Sequence, residues 1–219
     1  MRFPNRRTAG QELGLRLKEW ASAGELPQPV VLALPRGGVP VAAEVAQVLD
    51  APLDVLVARK VGLPGRPETG IGAVVADDPP LFDQRALAMA GLSEGRLAQE
   101  VARERVRLKR RAMLYRDPST PHVENRTVVL VDDGLATGAT ARAALRHLRR
   151  ARPARLILAV PVGAPETVAE MRSEADAVVC LRQPPDFRAV GLWYDDFDQV
   201  GDDRVVEILN GYGTSSSRT

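Results

Sequence analysis

The residues that could do chemistry are densest in one run, Val128-Val129-Leu130-Val131-Asp132-Asp133-Gly134-Leu135-Ala136-Thr137-Gly138-Ala139-Thr140. Four aliphatic residues read as a buried strand. Two adjacent carboxylates stand where that strand should stop. Gly134, Thr137, Gly138 and Thr140 then allow a tight loop to run into a helix. A helix N-terminus entered from such a loop binds anions through its free N–H groups and dipole, and threonine hydroxyls add donors. The carboxylates repel phosphate but accept hydrogen bonds from neutral hydroxyls. A ligand with a phosphate at one end and a vicinal diol at the other, such as a 5-phosphorylated ribose, satisfies both halves. An ordinary capped strand-to-helix turn would need neither two acids nor two glycines.

This run closely resembles the phosphoribosyl-pyrophosphate signature of the type I phosphoribosyltransferases. The resemblance implies that Asp132 and Asp133 hold the ribose hydroxyls, and that Gly134, Ala136, Thr137, Gly138, Ala139 and Thr140 form the loop around the 5-phosphate. It also implies magnesium, anchored through water by Asp132 or Asp133. Clustered aspartates suit a hard cation, and two isolated histidines with one cysteine support no zinc site. Several 6-oxopurine enzymes of the family carry an acid where this chain has Ala136, which argues against a hypoxanthine-like substrate.

Two further loops gain meaning from the resemblance. Leu34-Pro35-Arg36-Gly37-Gly38 follows a strand and precedes a helix. Its glycines let backbone approach an anion and Arg36 adds charge. In the family this loop binds pyrophosphate and often contains a cis peptide that does not involve proline nitrogen, so Arg36, Gly37 and Gly38 inherit that role. Arg59-Lys60 ends the second strand, and the Gly- and Pro-rich segment 61–72 after it matches the family's mobile loop. Lys60 would neutralise the leaving group as a catalytic residue alongside Asp132 and Asp133, and Arg59 is carried into the same pyrophosphate site. A solvated strand end would also carry an Arg-Lys pair. Glu68 is a loop carboxylate that acts on ribose or nucleophile or is simply solvated.

The segment 183–200 concentrates Phe187, Trp193, Tyr194 and Phe197 in a chain with 4% aromatics. The family places a hood here that stacks on the nucleobase, which assigns base binding to Trp193 and Tyr194. A small satellite core under a loop would explain the same aromatics.

These residues need an α/β frame. Helix and strand patterns alternate, which predicts an open, mainly parallel sheet flanked by helices. Strands are expected at Val30–Leu34, Val55–Ala58, Val128–Asp132, Leu156–Val160 and Ala177–Leu181, with helices over Thr8–Ala23, Val39–Leu49, Gly138–Ala151 and Pro165–Ser173. The stretch 81–121 reads as a helical insertion, a flap or an oligomer contact. It holds a short helix at Gln84–Ala90, a long Arg-rich helix at Ser93–Tyr115, and a break at Asp117–Pro121. One domain over 1–212 and a frayed tail over 213–219 complete the expected organisation.

Composition bounds the rest. Hydrophobic residues make up 45% of 219, enough for a folded core. No apolar run reaches the ~18 residues of a membrane span, and the N-terminus lacks an apolar leader pattern. Cys180 is the single cysteine, so no internal disulfide forms, and it sits in an apolar run. A cytoplasmic protein is the expectation. A net charge of +2 is too small to argue nucleic-acid binding across the whole surface.

The reading is therefore a magnesium-dependent phosphoribosyltransferase. It passes the phosphoribosyl group from phosphoribosyl pyrophosphate to a nucleobase or related nitrogen acceptor and releases pyrophosphate. A homodimer follows by analogy. The alternative is a phosphoribosyl-pyrophosphate-binding regulator that contacts nucleic acid, motivated by the arginines between Arg96 and Arg116. A solvated helix or subunit contact explains those arginines as well.

Overall fold

The computed structural model describes residues 1–115 and 122–215. Its centre is a five-stranded parallel sheet in the order β2-β1-β6-β7-β8. The strands are β1 (Pro29–Ala33), β2 (Leu53–Val55), β6 (Thr127–Val131), β7 (Arg155–Val162) and β8 (Ala177–Arg182). β1, β6 and β7 are continuous apolar runs, as strands covered on both faces must be. Their side chains alternate between two cores. Val31, Val129 and Ile157 point to one, and Leu32, Leu130 and Leu158 to the other.

Helices α1 (Arg6–Ser22) and α2 (Gly38–Leu49) cover the first face through Leu13, Leu17, Val41 and Val45. α5 (Ala139–Arg150) and α6 (Pro165–Met171) cover the second through Ala144, Leu145, Leu148, Val168 and Met171. α1 starts where Asn5 accepts a hydrogen bond from the Thr8 amide. The α1–α2 crossing is close because Gly10 faces α2: a Cβ there would lie 2.6 Å from the Val41 carbonyl oxygen.

Three expectations need correction. The predicted strand Val55–Ala58 is two strands. β2 ends at Val55 in the parallel sheet, and β3 (Ala58–Leu63) begins a separate antiparallel sheet with β4 (Arg66–Val75) and β5 (Leu81–Phe82). The segment read as a mobile loop is therefore mostly a hairpin, turning at Pro64–Gly65 with a register shift around Gly62. Alternation there is weak because glycines take up strand positions whose side chains would have signalled it.

The insertion contains α3 (Gln84–Ala90), as expected, but the long helix starts later. A 3-10 turn at Glu94–Leu97 precedes α4 (Ala98–Leu114). Leu97 and Leu108 bury α4 against the hairpin's Val61, Ile71 and Val74. The break at Asp117–Pro121 lies outside the described residues. Finally, α7 (Asp202–Ser215) takes in part of the expected tail. Val205 is buried and the Tyr212 hydroxyl donates to the Ala43 carbonyl.

The Gly10 contact sets a prediction. Gly10→Ala gains about 1 kcal/mol of helix propensity but meets backbone that cannot move aside, at a cost of about 1–3 kcal/mol. Urea unfolding is expected to give a net destabilisation; a stabilised variant would mean that α1 and α2 are free to separate.

Candidate functional site

β1 and β6 are hydrogen-bonded neighbours in parallel register, with Ala33 opposite Val131. The loops leaving their carboxyl ends must therefore meet, at the place where parallel sheets hold ligands. Residues 34–38 leave β1 and residues 132–138 leave β6. Their contact is tight. A Cβ on Gly37 would lie 1.9 Å from Asp133 Oδ2, and one on Gly38 would lie 2.8 Å from the Val131 carbonyl oxygen. Only glycine fits at either position. The Pro35–Arg36 peptide is cis, as the resemblance implied for this loop.

Asp132 and Asp133 sit side by side at this junction. Burial and then the neighbouring Asp133 charge push the Asp132 carboxyl well above the ordinary range. Burial also raises Asp133, against the pull of Arg6. Arg6 Nε donates to Asp133 Oδ2 at 2.8 Å, and its Nη1 donates to the Asp198 carbonyl at 2.8 Å. The guanidinium lies 3.7 Å from the centroid of Phe197. Arg6, Arg36, Gly37, Asp133, Phe197 and Val200 line a cavity of about 300 Å³ with Gln199. A larger cavity, about 540 Å³, lies between the hairpin turn and α3 and contains none of the signature residues.

After the acids, Leu135 is held by main-chain hydrogen bonds to Val162 and Ala164. Gly138 takes φ +71°, the left-handed conformation, and directs the chain into α5 at Ala139. No side chain caps α5. Thr137 and Ala136 are exposed, and Ala139 and Thr140 half-buried, at this helix N-terminus.

Other expected residues fall less neatly. Arg59 is paired with Glu104 of α4 at 2.8 Å. Lys60 is exposed on β3, and its aliphatic stem passes over Gly70. The side chain of Glu68 lies outside the described residues. Cys180 is partly buried, its thiol pushed up to about 12 by burial and donating to the Arg182 carbonyl.

The hood divides the two expected base-binding residues. Tyr194 is 3% exposed and packs between Phe3 and Phe197, while its hydroxyl donates to the Asp133 carbonyl at 2.6 Å. Tyr194 thus has no free ring face and is a support for the acidic loop. Trp193 is half-buried with its indole N–H enclosed. Phe197 is the hood aromatic that reaches the cavity.

Sequence reasoning missed Arg6 entirely. It stands 127 residues from Asp133, and no local pattern marks it. The N-terminal segment is fixed to the hood by Phe3, whose amide donates to the Trp193 carbonyl and whose carbonyl accepts from the Asp195 amide.

With this geometry in view, similarity to known proteins is decisive. A sequence profile of the phosphoribosyl transferase domain matches residues 16–195. The chain belongs to the phosphoribosyl transferase domain family. Two Mycobacterium tuberculosis proteins, from strains CDC 1551 / Oshkosh and H37Rv, are each named "putative phosphoribosyl transferase". They are 41% identical over 209 residues, 95% of this chain and 46% of theirs. The chain spans about half the length of these curated relatives. The crystal structure of TT1426 from Thermus thermophilus is 45% identical, covers 97% of this chain and 99% of its own, and superposes with a TM-score of 0.78. AQ2163 from Aquifex aeolicus shares the fold at 14% identity, with a TM-score of 0.51 over 80% of this chain and 73% of its own. No described helix is long and apolar enough to cross a membrane.

The electrostatics of the acid pair set a second prediction, in metal-free and ligand-free buffer. Asp132 has a folded pKa above its unfolded value of about 3.9. Its charged form opposes folding, so its contribution to stability is fullest at and below that pH and declines as pH rises toward the folded pKa. Asp132→Asn is therefore expected to raise the thermal midpoint at pH 7 and to lose that advantage near pH 4. Arg6→Ala is expected to cost about 2–3 kcal/mol at pH 7, less at pH 4. An Asp132→Asn protein less stable than wild type at pH 7 would contradict the assignment of strain to this pair.

Proposed function

We propose that the chain transfers a 5-phosphoribosyl group from phosphoribosyl pyrophosphate to a flat nitrogen acceptor of the nucleobase class, with release of pyrophosphate. The observation that carries this reading is the contact of the Gly37–Gly38 loop with Asp133. It brings a glycine loop suited to an anion against a carboxylate suited to a diol, beside one small cleft, and so supports this reading.

In this reading the Thr137–Thr140 turn and the free amides of α5 hold the 5-phosphate. Asp132 and Asp133 accept hydrogen bonds from the ribose hydroxyls. A diol is a better partner for the raised Asp132 carboxyl than water-poor protein, because it supplies the donors that burial removed. Arg36, the Gly37 amide and Lys60 meet the charge that develops on departing pyrophosphate, while the Gly38 amide is already given to the Leu34 carbonyl. The acceptor ring lies toward Phe197, which Arg6 now stacks upon, and Arg6 gives up Asp133 or shares it when ribose arrives. Ala136 leaves the acceptor without an acid partner at that position, in keeping with an acceptor other than a 6-oxopurine.

Two adjacent acids form no three-residue metal cluster among the described residues. They fit magnesium, which keeps most of its waters and takes few protein ligands. Asp132 and Asp133 would hold the ion through those waters. When bound, it neutralises pyrophosphate oxygens.

The test is calorimetric titration of phosphoribosyl pyrophosphate with magnesium into wild type and the Asp132→Asn/Asp133→Asn double variant. It is followed by a panel of bases and amines scored for pyrophosphate release. Loss of charge-assisted hydrogen bonds should weaken binding at least about tenfold. At least one flat nitrogen acceptor should give product. Tight binding with no product from any acceptor would remove the transfer reading; no binding to folded wild type would remove the site.

A further inference from the structure

Beside the cleft lies a second pocket, which shares only Arg59 with the residues expected to meet pyrophosphate. Arg107, Arg110 and Arg111 of α4 face Arg59 of β3 and Asp202 at the start of α7. With Leu114 they line a cavity of about 370 Å³. Glu104 pairs with both Arg59 and Arg107. Asp202 lies 3.4 Å from Arg111 and 3.9 Å from Arg36. The Tyr115 hydroxyl also donates to Asp202. This bond and the two guanidiniums hold its carboxyl below the ordinary range.

The charges do not balance. Counting Arg36, five guanidiniums converge on two carboxylates among the described residues here. α4 carries basic residues on other faces too, with Arg105 and Lys109 reaching residues 76–78, but Arg107, Arg110 and Arg111, spaced i, i+3, i+4, meet on the face that lines this cavity. Guanidinium forks match phosphate oxygens in pairs, which an ammonium cannot do. The space would hold about a dozen waters at roughly 30 Å³ each, enough for a chain of phosphates. A small, partly open pocket fringed by Glu104 and Asp202 suits a short polyanion better than a long duplex backbone, which needs an extended basic stripe.

We propose that this pocket binds a phosphate chain, a di- or triphosphate group, through Arg107, Arg110 and Arg111, and that Asp202 is the anion it displaces from Arg111. The chemistry has two sources: the pyrophosphate of the phosphosugar reaching past Arg36, or the triphosphate of a separate nucleotide. Asp202 joins the two cavities, since it touches the pyrophosphate-loop arginine on one side and α4 on the other. It lies outside the segment that matches the family profile.

The experiment is calorimetric titration of inorganic tripolyphosphate into wild type and the Arg107→Ala/Arg110→Ala double variant, with thermal unfolding as the folding control. Both side chains are exposed and Arg59 keeps its pairing with Glu104 in the variant, so the fold should persist. Binding is expected to weaken at least about tenfold, and Arg107→Lys/Arg110→Lys should recover only part of it. Phosphoribosyl pyrophosphate is then titrated into the same proteins. A parallel loss, with competition between the ligands, identifies the sugar's own pyrophosphate as the occupant. Unchanged sugar binding, with both ligands bound together, identifies a separate nucleotide. Equal tripolyphosphate affinity in wild type and the Ala variant, or none in wild type, overturns the pocket. Neither result bears on transfer to the acceptor panel, so the two readings fail independently.

Discussion

Two adjacent carboxylates at the end of a buried strand are the constraint around which the rest of the molecule is arranged. β6 has no polar side chain from Val128 to Val131, and its first charged atoms appear where the sheet stops shielding them from the cleft. Placing Asp132 and Asp133 there costs solvation, and the Asp133 charge adds to the burden on Asp132. The structure answers with one donor from distant sequence, one local amide and a tie from the loop's main chain to the hood. Arg6 comes from the N-terminal turn of α1. The Asp133 amide donates to Asp132 Oδ1. Tyr194 ties the Asp133 carbonyl to the hood.

The same constraint explains the glycines. Asp133 occupies the space beside Gly37 that a side chain would fill, and Gly38 lies against the main chain of Val131 and Asp132. Packing two loops this closely brings the amide dipoles of the 34–38 loop beside the acids. It also leaves room for one small cleft instead of two separate sites. The hood closes a third side, because a Cβ on Gly134 would meet Val190 at 2.4 Å. Loops from β1, β6 and the segment after β8 thus form a single unit, as parallel topology requires of loops on the same sheet end.

Much of this was legible in the sequence, because the central sheet writes itself in continuous apolar runs. Val128–Val131 and Leu156–Val160 are strands for the same reason in sequence and in space. The acids, the two glycines of the 34–38 loop and the turn into α5 were also readable, since local backbone needs fix their types. What escaped was long-range or short-ranged in signal. Arg6 is invisible because no periodicity connects residue 6 to residue 133. The β3–β4 hairpin hides behind glycines that break alternation. Tyr194 was read as a ring for stacking, when its ring packs on Phe3 and its hydroxyl serves the backbone. Aromatic content marks a hood, but only packing decides which ring faces out.

The insertion changes what the frame can hold. A parallel sheet with two loops at the carboxyl end of its central strands provides one cleft. α4 covers the β3–β4 hairpin through Leu97 and Leu108, and this burial turns its basic face toward Arg59 and Asp202. Glu104, 9% exposed, could not remain buried without the guanidiniums on either side of it. Those arginines are therefore fixed in place by the carboxylate they neutralise, and their remaining donors point into a cavity already shaped. Positive charge held rigid in this way is preorganised for an anion, since ordering the side chains has been done by folding and not left to binding. The acid pair and the basic wall are thus opposite in charge, and Asp202 stands between the Arg36 loop and α4.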